Sequence, residues 1–152
     1  MSFSVMQPLK AGPSMDDKVK ARLDATFANP RFERAFPGLE LVSAGEGHAV
    51  VRLVVGVEVQ NLNGSLHGGA TAFLVDHAGT LAIMTADRDG RSGVTTDLNV
   101  TYLAAGRGGE AVLAKARVLK PGKTLAFVTV DVVRESDGVL CAQGRMTKAM
   151  GG

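Results

Sequence analysis

The order of apolar and polar positions divides the chain into one long apolar segment and several shorter, nearly alternating segments. Residues 69–86 form the longest apolar stretch, and their length and Ala, Leu and Met content predict a helix buried nearly all round. Val-rich segments separated by Gly, Pro and Asp turns predict strands joined as hairpins in an antiparallel sheet. The predicted strands are 49–57 before the long helix and 93–103, 111–119, 125–134 and 139–148 after it. The simplest packing is an α+β fold in which a curved sheet wraps the long helix.

The N-terminal region has a different character from the rest of the chain. Residues 1–14 contain two prolines and a glycine, and they predict a flexible arm. From 15 to 28, apolar residues recur at helical spacing after Ser14, a candidate N-cap, so a helix is predicted there. A chain of 152 residues suffices for one domain with a sizeable core, and we place that single domain at 15–150.

Composition and charge narrow the classes of function. The net charge is +2 with scattered basic residues, and aromatic residues make up 5% without any Trp, so a nucleic-acid-binding surface is not expected. No apolar run approaches the roughly 20 residues of a membrane span, and the N-terminus lacks a signal pattern, so we expect no membrane partner and a cytoplasmic location. The single cysteine, Cys141, excludes an intrachain disulfide and a Cys-based zinc site. The three histidines lack metal-site spacing, so no metal is expected.

Several familiar catalytic signatures are absent from the sequence. The chain contains neither G-x-S-x-G nor H-E-x-x-H. The segment Gly122-Lys123-Thr124 resembles the end of a phosphate-binding loop, but the position that needs the leading glycine is Arg117. Serine hydrolase, zinc hydrolase and nucleotidase mechanisms are therefore disfavoured.

A lone carboxylate, Asp76, stands in the middle of the apolar helix. A buried carboxylate is costly unless it is paired or used in chemistry. The alternative to catalysis is a structural Asp satisfied by backbone or hydroxyl donors. A second signal at the start of the same helix favours catalysis.

That second signal is His67-Gly68-Gly69 at the helix entrance. Glycines allow close approach of a ligand to the backbone, and free N–H groups at a helix start attract negative charge, as an oxyanion hole requires. Gly68 and Asp76 are nevertheless eight residues apart (68 to 76), about 12 Å along a helix. Either only one of them is catalytic, or Asp76 meets the Gly68 of a second subunit in a two-fold dimer.

The segment from Asn61 to Asp76, N-L-N-G-S-L-H-G-G-A-T-A-F-L-V-D, resembles the H-G-G-x(6)-D signature of hotdog-fold thioesterases, most closely the phenylacetic-acid-pathway (PaaI-type) branch. T-D-L-N-V-T-Y at 96–102, V-L-K-P-G-K-T-L-A-F at 118–127 and A-Q-G-R-M-T-K at 142–148 extend the similarity. The resemblance implies a hotdog fold, a five-stranded antiparallel sheet around one helix. It also implies homodimers with sites at the interface, and homotetramers built as dimers of dimers.

The resemblance assigns roles to five residues of this chain. Asp76 corresponds to the general base or nucleophile, and Gly68 to the oxyanion-hole amide with His67 beside it. Asn61 corresponds to a loop residue that positions the thioester or the attacking water, although without the resemblance an Asn in a polar loop is more often a turn residue. Thr95 stands where close relatives carry Ser, a hydroxyl that hydrogen-bonds the water or the carboxylate.

For coenzyme A, the resemblance points to residues near two loops. These are Tyr102 and Arg107, and Lys120 and Lys123, with Arg145 and Lys148 as further candidates for its phosphates. Coenzyme A would be bound as part of the substrate, and no separate cofactor is expected. A solvated lysine at a strand end is the structural alternative for these cations.

The sequence therefore predicts an acyl-CoA thioesterase that hydrolyses an acyl- or aryl-acyl-CoA to the free acid and coenzyme A. One rival is a hotdog hydratase or dehydratase acting on acyl thioesters, in which His67 and Asp76 would share the chemistry. The other rival is a non-catalytic acyl-CoA-binding module. The acyl-chain specificity is left open by the sequence.

Overall fold

The computed structural model describes residues 16–151, in which a six-stranded antiparallel sheet packs around one long helix. The predicted α+β arrangement is confirmed. The helices are α1 (Asp17–Ala28) and α2 (Gly68–Ala86), with short 3₁₀ turns at Phe32–Ala35 and Val57–Val59. The strands are β1 (Glu40–Gly45), β2 (His48–Val54), β3 (Val94–Tyr102), β4 (Ala111–Lys120), β5 (Leu125–Arg134) and β6 (Leu140–Ala149).

The sheet has one strand more than the resemblance implied. β1 pairs with β2 at one edge, and the full strand order is β1-β2-β4-β5-β6-β3. The sequence Glu-Leu-Val-Ser-Ala-Gly gives a weak strand signal because only Leu41 of this edge strand is fully buried. The β1 strand was therefore missed, and the expectation of five strands was wrong for this chain.

α2 is buried on almost every side, as its apolar composition predicted. The buried residues of α2 include Leu74, Val75, His77, Ala78 and Gly79. Neighbouring positions of a helix point in different directions around its axis, so burial of all five means that several sides of α2 are covered. The inner face of the sheet approaches α2 closely where small residues allow it. A Cβ added at Gly144 of β6 would overlap Cγ1 of Val75, so this glycine is what permits the contact.

β3 forms the other edge of the sheet and lies next to β6 alone. Several of its apolar side chains face solvent, with Val94 70% and Tyr102 55% exposed. An exposed edge strand carries backbone groups that can pair with another chain. Its register places Thr95 directly opposite Lys148, and a bulge follows between Thr95 and Asp97.

At the N-terminal side, α1 packs on α2 through Val19 and Leu23. Its N-cap is Asp16, whose side chain accepts a hydrogen bond from the Lys18 N–H, so the helix starts two residues later than predicted. The predicted arm 1–14 and the candidate cap Ser14 lie outside the described residues. Among residues 16–151, no helix is long and apolar enough to cross a membrane.

Candidate active site

Asp76 lies at the middle of α2, half-buried, and faces the end of the sheet formed by β3 and β6. The Thr95 hydroxyl donates a hydrogen bond of 2.6 Å to its Oδ1 atom. A hydrogen bond of a hydroxyl to a carboxylate is short and strong, and it fixes the orientation of the carboxylate. The structure thus brings together two of the predicted site residues, 19 positions apart in sequence.

A buried lysine supports the same turn of α2. The Lys148 Nζ donates to Thr80 Oγ1 at 2.7 Å, and Thr80 Oγ1 in turn donates to the Asp76 carbonyl oxygen at 2.7 Å. Lys148 is 4% exposed, so it is not the solvent-facing cation that was considered for coenzyme A phosphates. Burial lowers the pKa of Lys148 from its usual value, and the negative charge of Asp76 opposes that shift.

His77 belongs to an aromatic cluster beside Asp76 and not to a hydrogen-bond relay. Its ring stacks on Phe73 and meets Phe27 edge-on, and Nδ1 lies 3.8 Å from the Glu33 carboxylate. Burial lowers the pKa of His77, while Glu33 and Asp76 oppose the shift. Within the described part of the chain, Nε2 has no hydrogen-bond partner. These contacts give His77 a packing role in the cluster.

The entrance of α2 is built around His67, which is its N-cap. The His67 Nδ1 accepts a hydrogen bond from the Gly69 N–H at 2.9 Å, so the neutral ring carries its proton on Nε2. Tyr102 donates from its hydroxyl to the Gly68 carbonyl at 2.8 Å and packs its ring against this glycine. No acceptor among residues 16–151 meets the Gly68 N–H, as expected for the first residue of a helix.

Asn61 organises the loop before α2. Its Oδ1 accepts hydrogen bonds from the N–H groups of Asn63 at 2.9 Å and of Ser65 at 3.1 Å. This is the turn role that was weighed against substrate positioning. The two roles are compatible, because the amide nitrogen of Asn61 is not used in these bonds and can donate to a ligand.

The four residues assigned to coenzyme A fall into two groups within one chain. Tyr102 and Arg107 lie at the entrance of α2, where Arg107 pairs with Ser65 in an isolated bridge. Lys120 ends β4, and Lys123 lines a second cleft of about 600 Å³ that also contains residues at the C-terminal end of α2. Arg107, Lys120 and Lys123 are exposed, and only Arg107 has a nearby carboxylate, Glu110 at 3.7 Å, among the described residues.

A cleft of about 770 Å³ opens over Asp76. Its apolar wall includes Phe32, Phe73, Leu81, Met84 and Leu98, and its ionisable groups are Arg22, Glu33, Asp76, His77 and Lys148. An apolar cleft with few polar groups is the usual form of a small-molecule site. In the described residues, no group of three or more His, Cys, Asp or Glu side chains could hold a metal ion. The cleft can therefore offer a fixed carboxylate to an apolar ligand.

One part of this site was not found from the sequence. The Thr80–Lys148 pair was missed as a support of Asp76, although β6 alternates and Ala142, Gly144, Met146 and Lys148 are all buried. A lysine at the inward position of an alternating strand is unusual, and that signal could have identified it.

Comparison with known proteins gives a consistent result. The family model "Thioesterase superfamily" matches residues 63–141. Human acyl-coenzyme A thioesterase 13 is 41% identical over 138 residues, which cover 91% of this chain and 98% of the human protein. The crystal structure of zebrafish thioesterase superfamily member 2 has 44% identity and a TM-score of 0.79, over 89% of this chain and 97% of that one. The E. coli PaaI protein from the phenylacetic acid degradation operon has 26% identity and a TM-score of 0.80, over 91% and 98% of the two chains.

Proposed function

The chain belongs to the thioesterase superfamily, and from this premise we propose that it hydrolyses acyl-CoA thioesters with Asp76 as the catalytic carboxylate. The observation that carries the proposal is the Asp76 carboxylate, fixed by Thr95 at 2.6 Å and lining an apolar cleft. The relatives named acyl-coenzyme A thioesterase 13 support coenzyme A as the leaving thiol. Water and the acyl-CoA give the free acid and coenzyme A, and we propose that no added metal or redox cofactor takes part.

In this mechanism, the thioester carbonyl accepts a hydrogen bond from the Gly68 N–H, which stabilises the negative charge as the tetrahedral intermediate forms. Asp76 either takes a proton from the attacking water or attacks the carbonyl itself. The two routes differ in one intermediate, since only direct attack forms an acyl–Asp76 anhydride. Acyl-CoA itself reacts with hydroxylamine, so the enzyme is first quenched in acid and freed of acyl-CoA. Hydroxylamine then converts a protein-bound anhydride to a hydroxamate, whereas the general-base route leaves no acyl group bound to the protein.

The test of the proposed activity is thiol release from a panel of phenylacetyl-, benzoyl-, hexanoyl- and palmitoyl-CoA. The Asp76→Asn variant keeps the shape and the Thr95 hydrogen bond, and we expect kcat to fall roughly 10²-fold or more. Asp131→Asn is the matched control, because Asp131 lies on β5 and bonds only Gln143 among the described side chains. If the wild type binds every ester but hydrolyses none, the proposed enzymatic activity is contradicted and the non-catalytic acyl-CoA-binding module is supported. A 3-hydroxyacyl-CoA is added to the panel, and its loss of water to an enoyl-CoA without thiol release would support the hydratase or dehydratase.

We further propose that the site is shared across a homodimer and that two dimers form a tetramer. Gly68 and Asp76 lie at positions 1 and 9 of α2, roughly 12 Å apart along the axis, too far to act on one thioester. A two-fold axis between antiparallel α2 helices would bring the Gly68 of each subunit to the Asp76 of the other. The exposed edge of β3 supports a dimer, because a second β3 could pair with it.

Subunit mixing tests the shared site directly. Gly68→Pro removes only the N–H, because the first position of a helix accepts proline and His67 before it is already extended at φ −61° and ψ 139°. Gly68→Ala keeps the N–H and has room for its Cβ, with the Tyr102 ring at 3.6 Å, so it is the matched control. If sites are shared, an equimolar mixture of Gly68→Pro and Asp76→Asn subunits recovers roughly a quarter of wild-type activity, since half the dimers are mixed and each has one intact site.

No recovery in mixtures whose subunits have demonstrably exchanged would show that each site lies within one chain. Light scattering on the wild type distinguishes the dimer from the tetramer through the 15.8 kDa mass of the chain. A cytoplasmic location stays a prediction, which cell fractionation would test.

A further inference from the structure

Lys148 of β6 is a charged group in an unusual position. Only 4% of it is exposed, and its Nζ donates to a neutral partner, Thr80 Oγ1, at 2.7 Å. In the described part of the chain, no carboxylate lies within 4.0 Å of this ammonium, so it is not held by a direct ion pair. A buried charge without a direct counterion is costly, and its retention calls for a reason other than stability.

Two connections lead from Lys148 to Asp76. The first runs through Thr80, which accepts from Lys148 and donates to the Asp76 carbonyl at 2.7 Å. The second runs through Thr95, which is the cross-strand partner of Lys148 and donates to Asp76 Oδ1 at 2.6 Å. The ammonium therefore lies beside the carboxylate without touching it. Asp76 Oδ1 accepts the Thr95 hydrogen bond, and Oδ2 has no hydrogen-bond partner among the described residues, so it stays available for the chemistry.

The charge of Asp76 is also the one nearby charge that opposes the effect of burial on the pKa of Lys148. The other ionisable groups of the cleft are Arg22 from α1, Glu33 from the first 3₁₀ turn and His77 from α2. Burial lowers the pKa of His77, so near neutral pH that ring adds no positive charge beside Asp76. Lys148 is thus the principal buried cation next to this carboxylate within residues 16–151.

We propose that Lys148 is a positioning residue for hydrolysis, which holds the Asp76 turn through Thr80 and keeps Asp76 ionised when the acyl group fills the cleft. A substrate that displaces water from an apolar cleft lowers the local dielectric constant and favours protonation of a lone carboxylate. A nearby fixed positive charge opposes that protonation, and its effect grows as water leaves. This inference rests on the proposed role of Asp76 in thioester hydrolysis.

The first experiment compares the pH dependence of kcat and kcat/KM for the wild type, Lys148→Met and Lys115→Met. Methionine fills nearly the same volume, and replacement of a buried charge by a packed apolar side chain is often neutral for stability. Lys115 is exposed on β4 and serves as the control for loss of one positive charge. We expect Lys148→Met to lower kcat about tenfold with little change in KM at neutral pH. The acid limb of kcat, which reports the enzyme–substrate complex, should move up by about one pH unit, and that of kcat/KM, which reports the free enzyme, should move less.

The second experiment restores the charge without the side chain. Lys148→Ala leaves a cavity at the site, and n-propylammonium should recover part of the lost kcat, whereas 1-propanol, which fills the same space without charge, should not. Equal recovery by both compounds would reduce Lys148 to a packing residue and overturn the proposal. An unshifted acid limb of kcat in folded Lys148→Met would also overturn the proposal. If the wild type hydrolyses no ester at all, the proposed function has failed, which is a different result.

Discussion

The contact between β6 and α2 at Gly144 offers a sharp test of how the fold positions the carboxylate. A Cβ added to Gly144 would overlap Cγ1 of Val75, lie 2.8 Å from Cγ2 and lie 3.1 Å from Cβ. Rotation of the Val75 side chain cannot relieve all three contacts, since its Cβ does not move and a valine in a helix has one strongly preferred rotamer. Gly144→Ala must therefore push α2 away from the sheet one residue before Asp76.

The size of the effect follows from opposing contributions. Overpacking of a core by one methyl group costs about 1–3 kcal/mol, and the close overlap with rigid neighbours places this site near the upper end. Replacement of glycine in a strand gains back about 0.5–1 kcal/mol through the smaller entropy of the unfolded chain. We expect a net loss of about 2 kcal/mol in the free energy of unfolding, or a Tm lower by about 4–8 °C for a chain of this size.

The control for this substitution is Gly79→Ala on the facing side of the same interface. Its Cβ would meet the Met146 Cε at 2.6 Å and the Val128 Cγ1 at 3.0 Å, but the end of a methionine can move away. Helix propensity also favours alanine there by about 1 kcal/mol, so the net change should lie within about 1 kcal/mol of zero.

Urea unfolding of four proteins measures the coupling: wild type, Gly144→Ala, Val75→Ala and the double variant. Val75→Ala alone leaves a cavity and costs about 2 kcal/mol. In the double variant the alanine at 144 occupies part of that space, so the two losses should fall short of additivity by about 1–3 kcal/mol. Additive losses, or a Gly144→Ala protein as stable as the wild type, would refute the claim that this glycine sets the distance between β6 and α2.

Three further predictions concern side chains of the site. Thr95→Ser should keep most of kcat in the thiol-release assay, whereas Thr95→Val, which loses the 2.6 Å hydrogen bond to Asp76, should lower kcat about tenfold or more; equal rates would show that the hydroxyl is dispensable. Tyr102→Phe removes the hydrogen bond to the Gly68 carbonyl at the entrance of α2, so it should lower kcat with little change in Tm. A large fall in Tm with an unchanged kcat would contradict this. Because burial lowers the folded-state pKa of His77 from 6.5, the unfolded chain takes up that proton first as the pH falls. Stability should then decrease below about pH 6.5, and His77→Phe should flatten the slope in urea titrations at pH 5 to 7; an equal slope in the variant would mean that other groups cause the loss.

The elements that could be predicted are those whose sequence signal is strong without tertiary context. α2 was predicted at 69–86 and is found at Gly68–Ala86, because a long apolar run rich in Ala, Leu and Met leaves few alternatives. β5 was predicted with both of its ends correct, since its alternation is regular. β1 was missed because an edge strand with one buried residue has almost no pattern of its own, and it is stabilised by pairing with β2.

The residues of the site also differ in whether the sequence alone could identify them. Asp76 could be proposed from physical reasoning alone, because a carboxylate in the middle of an apolar helix requires an explanation. Thr95 came only from the family resemblance, since a threonine in a strand is ordinary and nothing local reveals that its hydroxyl reaches Asp76. That contact depends on the register of β3 against β6, with Thr95 opposite Lys148, and register is a property of the pairing of two strands.

The inward position of Lys148 can be predicted from the local pattern of β6, but its partner depends on how β6 packs on α2. Asp76 and Thr80 are four residues apart and must share one face of α2, and Lys148 has the inward parity of Ala142, Gly144 and Met146 in β6. These two facts can be read from the sequence. They imply that the polar face of the helix and the inward lysine each need a hydrogen-bond partner inside the fold. Only the packing of β6 on α2 determines that Lys148 Nζ donates to Thr80 Oγ1, at 2.7 Å. A charged residue at an inward position of a strand therefore predicts a polar partner on the element that packs against it, although the sequence does not identify that partner.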